Sequence, residues 1–170
     1  MASPHLWRVA FAKQAQSDLR ARDALVLSGS DDCHQLHYLQ MACAKICKAH
    51  LCGSGSDPID LESSHAYISR TLPLIIRHRL ARQSRHDAPQ RTWLISAVRA
   101  LARRIELLAP AVRDGGRAPS NCEYPWEDAK GNVLIPAEFN FELDLLYQRA
   151  GVYLLKSLPV IASELANEDA

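Results

Sequence analysis

Residues Asp32 to Leu51, DCHQLHYLQMACAKICKAHL, constrain this chain more than any other stretch. Leu36, Leu39, Cys43, Ile46, Cys47 and His50 recur at the i, i+3, i+4, i+7 spacing that puts them on one face of a helix, with Gln40, Ala44, Lys45 and Lys48 elsewhere on the wheel. Breakers bound the run. Ser28-Gly29-Ser30 precedes it, and Gly53-Ser54-Gly55-Ser56-Asp57-Pro58 follows, a stretch that cannot continue a helix. A helix with an apolar side must bury that side, so the rest of the chain has to supply a cover.

The cover reads as more helix. Few glycines, valines, threonines and aromatics stand against many Ala, Leu and Arg, a balance that favours helix over sheet. A first helix is predicted from about Pro4 to Leu27, with Trp7, Phe11, Ala15, Leu19 and Val26 inward and Gly29 just past its end. Asp31 and Asp32 suit the start of the second, where backbone N–H groups are unpaired. A third helix should start near Ser63 or Ser64, with Ile68, Leu72, Ile75 and Arg79 inward and Pro73 kinking or splitting it. Arg82 to Pro89 reads as polar chain that includes the turn. The fourth, Gln90 to Leu108, has the row Leu94, Val98, Leu101, Ile105 and Leu108, and Pro110 beyond its end. Residues 114–136 are rich in Pro and Gly but carry Tyr124, Trp126, Val133, Leu134 and Ile135, which are too apolar for a solvated tether. They predict an ordered excursion with a short hairpin around Gly131, Tyr124 and Trp126 plugging the open end of the bundle. A last helix is expected from about Ala137 to Leu165, with Phe141, Leu145, Val152, Leu155 and Leu158 inward.

The fold expected is therefore all-α: an up-and-down bundle of about five helices, one domain over 1–170, with one irregular excursion. A chain of 170 residues can bury roughly two-thirds of its unfolded surface in one such core. No apolar run approaches the ~18 residues of a membrane span, and the N-terminus lacks the pattern of a secretory signal. Cys33, Cys43, Cys47, Cys52 and Cys122 are odd in number, and four crowd one helix and its flanks. They predict reduced thiols and a cytoplasmic protein rather than a disulfide framework.

Charge is uneven although the total is only +1. Residues 64–104 hold nine arginines and a single acid, Asp87, for a net of +8, while 136–170 is acidic with a net of −4. Arginine offers planar, bidentate donors for phosphate, and clustering it costs self-repulsion that RNA, a nucleotide or the acidic last helix could offset. Arg77, Arg79, Arg82, Arg85, Arg103 and Arg104 are the candidate nucleotide- or nucleic-acid-binding residues. Cys43, Cys47 and His50, near His34, His37 and Cys52, share ligand chemistry with a zinc site. The cysteines lie in the apolar stripe, and no Cys-x-x-Cys completes a tetrad, so they read as core and no metal is expected. No Ser/His/Asp order, Gly-rich phosphate loop or carboxylate pair points to another enzyme class or a cofactor.

Three features in order carry a family resemblance: Asp18-Leu19 with Ala24-Leu25; His37-Tyr38-Leu39-Gln40-Met41-Ala42 running into Lys45 and Lys48-Ala49; and Ser64-His65 with Leu72, then Tyr124-Pro125 before the final helix. Over roughly residues 9–160 the chain resembles the HEPN superfamily of small helical-bundle proteins. That resemblance implies a four- or five-helix bundle that commonly forms a two-fold dimer: a ribonuclease of defence and toxin–antitoxin systems, a silent partner of a small nucleotidyltransferase, or a binder of nucleotides or nucleic acid. The family's ribonucleases use an Arg, usually followed by a polar residue, with a His several positions on, to activate a ribose 2′-hydroxyl. Arg79 and His86 have a fitting separation, but Leu80 follows Arg79, and the pair lies far from the last helices. The expectation is a non-catalytic dimeric interaction module in which Asp18, His37, Gln40, Lys45 and His65 serve architecture and the partner surface. The alternatives are a metal-independent ribonuclease using Arg79 and His86, or an RNA or nucleotide binder through the arginine-rich face.

Overall fold

The computed structural model describes residues 2–57, 60–61, 67–83, 87–110 and 121–167. Five α-helices stand out among them: α1 (Pro4–Ser28), α2 (Asp32–Gly53), α3 (Ile68–Arg82), α4 (Ala88–Glu106) and α5 (Arg149–Asn167). The chain is an all-α helical bundle. Its apolar core is one cluster drawn from all five helices, extended by Cys122, Leu143 and Leu146 of the segment that leads into α5.

Helix α1 begins where the side chain of Ser3 accepts a hydrogen bond from the Leu6 N–H, with Pro4 in the first turn. It stops at Gly29, whose φ is 68°. The Gly29 and Ser30 N–H groups donate back to Val26 O and Leu25 O, which satisfies two terminal carbonyls. The predicted stop holds. The buried face is turned from the predicted one, however. Arg8, Ala12, Ala15, Asp18 and Leu19 are covered while Val26 is exposed, because the last turns of α1 run past the core.

Helix α2 touches each of the other four helices. Its covered residues include Leu36, Leu39, Ala42, Cys43, Ile46 and Cys47, but also Gln40, Ala44 and Lys48. A helix packed from several directions has no dry side and wet side, so the single stripe in the sequence understates its burial. Asp31 is the N-cap without a side-chain hydrogen bond, and Asp32 lies in the first turn.

Helices α3 and α4 form an antiparallel pair. The Glu106 carboxylate at the end of α4 accepts from the backbone N–H and hydroxyl of Ser69 at 2.8 and 2.7 Å, capping the start of α3. Pro73 is buried inside α3, which is one helix from Ile68 to Arg82 rather than two. The start predicted at Ser63 or Ser64 lies outside the described residues. Asp87 caps α4 by accepting from the Gln90 N–H at 2.8 Å, and all five residues of the predicted α4 row are buried.

The expected hairpin is present. Strands β1 (Trp126–Glu127) and β2 (Val133–Leu134) pair antiparallel, and the Asp128 carboxylate holds the turn by accepting from the Lys130 and Asn132 N–H groups at 2.8 and 2.9 Å. Trp126 is buried and packs edge-on against Phe139, with ring centroids 4.9 Å apart, whereas Tyr124 is exposed and plugs nothing. Residues 136–148 depart from the predicted last helix. They form short 3-10 turns at Pro136–Glu138 and Asp144–Leu146, and α5 starts only at Arg149. Asn140 interrupts helical hydrogen bonding here by accepting from the Glu142 N–H at 2.9 Å, with Glu142 at φ 50°. The chain then folds back onto α5 so closely that a Cβ at Gly151 would collide with the Leu145 carbonyl oxygen. The buried face of α5 shifts accordingly to Ala150, Leu154, Leu158 and Ile161, leaving Val152 exposed. No helix among the described residues is long and apolar enough to cross a membrane.

Candidate functional site

At one end of the bundle the start of α1 meets the C-terminal ends of α2, α3 and α5 around a cavity of about 360 Å³. The charged and polar lining comes from Arg8 of α1, His50 at the end of α2, His78, Arg79 and Arg82 of α3, and Glu164 of α5. Ile75, Ile161 and Leu165 form an apolar wall. Among the described residues, three arginines against one carboxylate leave a formal side-chain charge of +2 with the histidines neutral. Three helix C-termini, each equivalent to about half a negative charge, offset part of this and make the cluster tolerable.

Each side chain has a local cause. Arg8 falls in the same helical phase as Ala12, Ala15 and Leu19 and is buried with them. Its stem crosses the end of α2 at Gly53, where a Cβ would lie 3.1 Å from Arg8 Cδ, so only glycine leaves that path open without a shift. His50 and His78, from two different helices, have ring centroids 6.3 Å apart. Arg79 Nη1 donates to Glu164 Oε1 at 2.7 Å, tying α3 to α5, while the Arg79 Nε–H is buried with no hydrogen-bond partner among the described residues. Gln83 closes one side, its Oε1 accepting from the Tyr153 hydroxyl at 3.3 Å.

Of the six arginines singled out in the sequence, the cavity gathers two, Arg79 and Arg82. Arg77 is exposed on α3 and does not line it. Arg103 and Arg104 lie at the other end of α4, near the start of α3. Ten residues of helix from Ser69 to Arg79 make that separation about 15 Å. Arg104 there faces Glu142 at 3.9 Å and borders a second cavity of about 270 Å³. The arginine-rich stretch is thus divided between two ends rather than forming one surface, because an antiparallel pair separates the C-termini of its helices. Arg85 and His86 lie outside the described residues, as does His65. The sequence reading passed over Arg8, His78 and Glu164. A lone charge in the apolar phase of α1 is the signal for Arg8; the acidic balance of the last helix against the arginine-rich stretch is the signal for the meeting of α3 with α5 at Arg79 and Glu164.

Residues that carried the family resemblance fall elsewhere. Lys45 Nζ and Asp18 Oδ2 pair at 2.5 Å between α1 and α2, with Gln14 donating to Asp18 Oδ1 at 3.2 Å. Gln40 is buried nearby in sequence, its Nε2 unpartnered among the described residues. His37 Nδ1 lies 3.6 Å from Glu123 Oε1 of the excursion.

All five cysteines are buried free thiols. Burial pushes the thiols of Cys43 and Cys122 up to about 12, so neither is poised as a nucleophile or thiolate ligand. Among the described residues no group of three or more His, Cys, Asp or Glu is placed to hold a metal ion. Cys43 and Cys47 pack in the core while His50 lines the cavity. The chain matches no protein-family model, no curated protein and no solved structure.

Proposed function

We propose that this protein is a HEPN-like helical binding module that takes a phosphate-bearing ligand, a nucleotide or RNA, in the end cavity without performing chemistry on it. One observation carries the reading: among the described residues, Arg8, Arg79 and Arg82 converge with two histidines on about 360 Å³ that holds a single carboxylate. That volume lies at the small end of ligand sites, and the division into an arginine side and an apolar wall suits a ligand with a phosphate and a less polar body. Arginine forks bind phosphate bidentately, which a lysine cluster would not do. The family resemblance adds a two-fold dimer and a nucleotidyltransferase-type protein partner to the proposal. Light scattering tests the dimer, and a strict monomer at high concentration removes it. The binding test is a titration of a labelled nucleotide and a labelled RNA oligonucleotide, in rising salt, against the wild type and Arg82→Ala. Binding that weakens with salt and with the substitution supports the reading; no binding of either probe at low salt ends it.

A metal-independent ribonuclease is the second reading. The specific observation behind it is that two imidazoles from different helices, His50 and His78, stand beside Arg79 on the cavity wall, their ring centroids 6.3 Å apart. In that chemistry one imidazole takes the proton of a ribose 2′-hydroxyl as its oxygen attacks phosphorus, and the other protonates the departing 5′-oxygen. His86 remains the alternative from the family pattern. RNA cleavage in excess chelator, lost in His50→Ala and His78→Ala or in His86→Ala, would establish the reaction and assign its proton carriers. Absence of cleavage by the wild type removes this reading.

A further inference from the structure

The cavity already contains an anion of its own, and its ion pair is lopsided. Arg79 is held in the wall, its side chain only 19% exposed, whereas Glu164 stands at the rim with 46% of its side chain exposed. The carboxylate takes one hydrogen bond, from Arg79 Nη1, while the Nε–H of the same guanidinium is buried without a partner among the described residues. A guanidinium offers a planar fork of five donors, and a buried donor left unmatched is an unfavourable arrangement that a better acceptor would relieve. Glu164 can leave for water at little desolvation cost. Arg79 cannot.

We infer that Glu164 is the resident counter-ion of the cavity, and that the ligand is a phosphate monoester that replaces it on Arg79. This rests on reading the cavity as a phosphate site. The charge balance selects the monoester: a terminal phosphate carries about −1.5 to −2 at neutral pH, against −1 for each diester of an RNA backbone. The described lining side chains offer +2 with Glu164 counted and +3 once Glu164 swings out, before the partial offset by the helix C-termini. Turning the guanidinium off Glu164 frees the covered Nε–H, so that a phosphate can accept from two of its nitrogens where the carboxylate accepts from one. Ile75, Ile161 and Leu165 then form the wall against which the body of the ligand lies. A mononucleotide and the phosphorylated end of an RNA share this chemistry. Because Glu164 is on α5 and Arg79 on α3, loading also removes a tie between these helices.

The experiment is calorimetric titration of the whole chain, as wild type, Glu164→Gln and Glu164→Ala. The probes are inorganic phosphate, a nucleoside 5′-monophosphate, the matching nucleoside, and a short RNA with and without a 5′-phosphate. Removing the competing carboxylate should tighten monophosphate binding roughly fivefold in both variants. The nucleoside should not bind, and the RNA should bind only with its terminal phosphate; which of nucleotide and phosphorylated RNA binds more tightly identifies the source. If the wild type binds monophosphate and both variants bind it no better, the counter-ion role is overturned while the phosphate reading stands. RNA that binds equally with and without its terminal phosphate overturns the monoester assignment alone. If neither the wild type nor either variant binds any phosphate, the inference and the reading beneath it fall together.

Discussion

Lys45 Nζ lies 2.5 Å from Asp18 Oδ2, and this ion pair is enclosed where α1 packs along α2. Asp18 is almost fully covered, so its charge is satisfied by Lys45 and Gln14 rather than by water. Asp18 is the more deeply covered partner, so removing Lys45 leaves a buried carboxylate without its cation, which is costlier than losing both charges. Lys45→Ala should therefore destabilise the fold by about 3 kcal/mol, whereas Asp18→Leu combined with Lys45→Met should cost clearly less. Urea unfolding of the two variants checks this, and equal losses would show that the pair is not the source.

Gly151 and Gly53 make a graded pair. A Cβ at Gly151 would collide with the backbone of Leu145 and Leu146, and backbone held by a 3-10 turn cannot step aside. Gly151→Ala should cost about 3 kcal/mol or prevent folding. At Gly53 the neighbour is the flexible stem of Arg8, at 3.1 Å. Gly53→Ala should keep most of the stability, measured by thermal melting, while moving Arg8 in the cavity and weakening phosphate binding.

The buried thiols set an alkaline limit. Burial moves Cys43 and Cys122 from an ordinary value of 9.0 up to about 12. Below pH 9 both states hold the protons and nothing is lost. Between pH 9 and 12 the unfolded chain releases them and the folded one does not, so stability falls, by up to about 1.4 kcal/mol per pH unit for each thiol. Denaturant midpoints at pH 8, 9.5 and 10.5 should decline accordingly, and the decline should shrink in Cys43→Ala. For the same reason a thiol reagent at pH 8 should label these positions only after denaturant is added.

The sequence was most legible where a helix has one wet side. In α4 the row Leu94, Val98, Leu101, Ile105 and Leu108 is buried as its spacing predicts. Legibility failed where burial depends on distant elements. Gln40 and Lys48 look solvated by period but are covered because α2 is packed from several directions. Phe141 and Leu145 fit a helical row yet lie before α5, Leu145 in a single 3-10 turn, since the Asn140–Glu142 turn and the fold-back onto Gly151 outweigh local period. The site was half legible. Arginine content pointed to Arg79 and Arg82, and charge balance pointed to the acidic last helix as their counterweight, but period cannot tell which ends of an antiparallel pair face one cavity or single out Glu164 among the acids.

That division gives a sharp test of where a phosphate ligand sits. Arg79 and Arg82 line the end cavity, whereas Arg103 and Arg104 belong to the opposite end of the α3–α4 pair. If binding takes place in the cavity, Arg79→Ala and Arg82→Ala should each weaken nucleotide binding about tenfold, a single charged hydrogen-bonding partner being lost. Each should also lower the slope of log affinity against log salt by about one. Arg103→Ala combined with Arg104→Ala should leave both quantities unchanged, although it removes the same kind of charge from a chain of the same fold. Fluorescence anisotropy at several salt concentrations resolves the cases. An equal loss in both sets of variants would mean that the ligand responds to the overall positive field and not to the cavity, because a diffuse field does not distinguish the two ends of a bundle only ~15 Å apart at low salt.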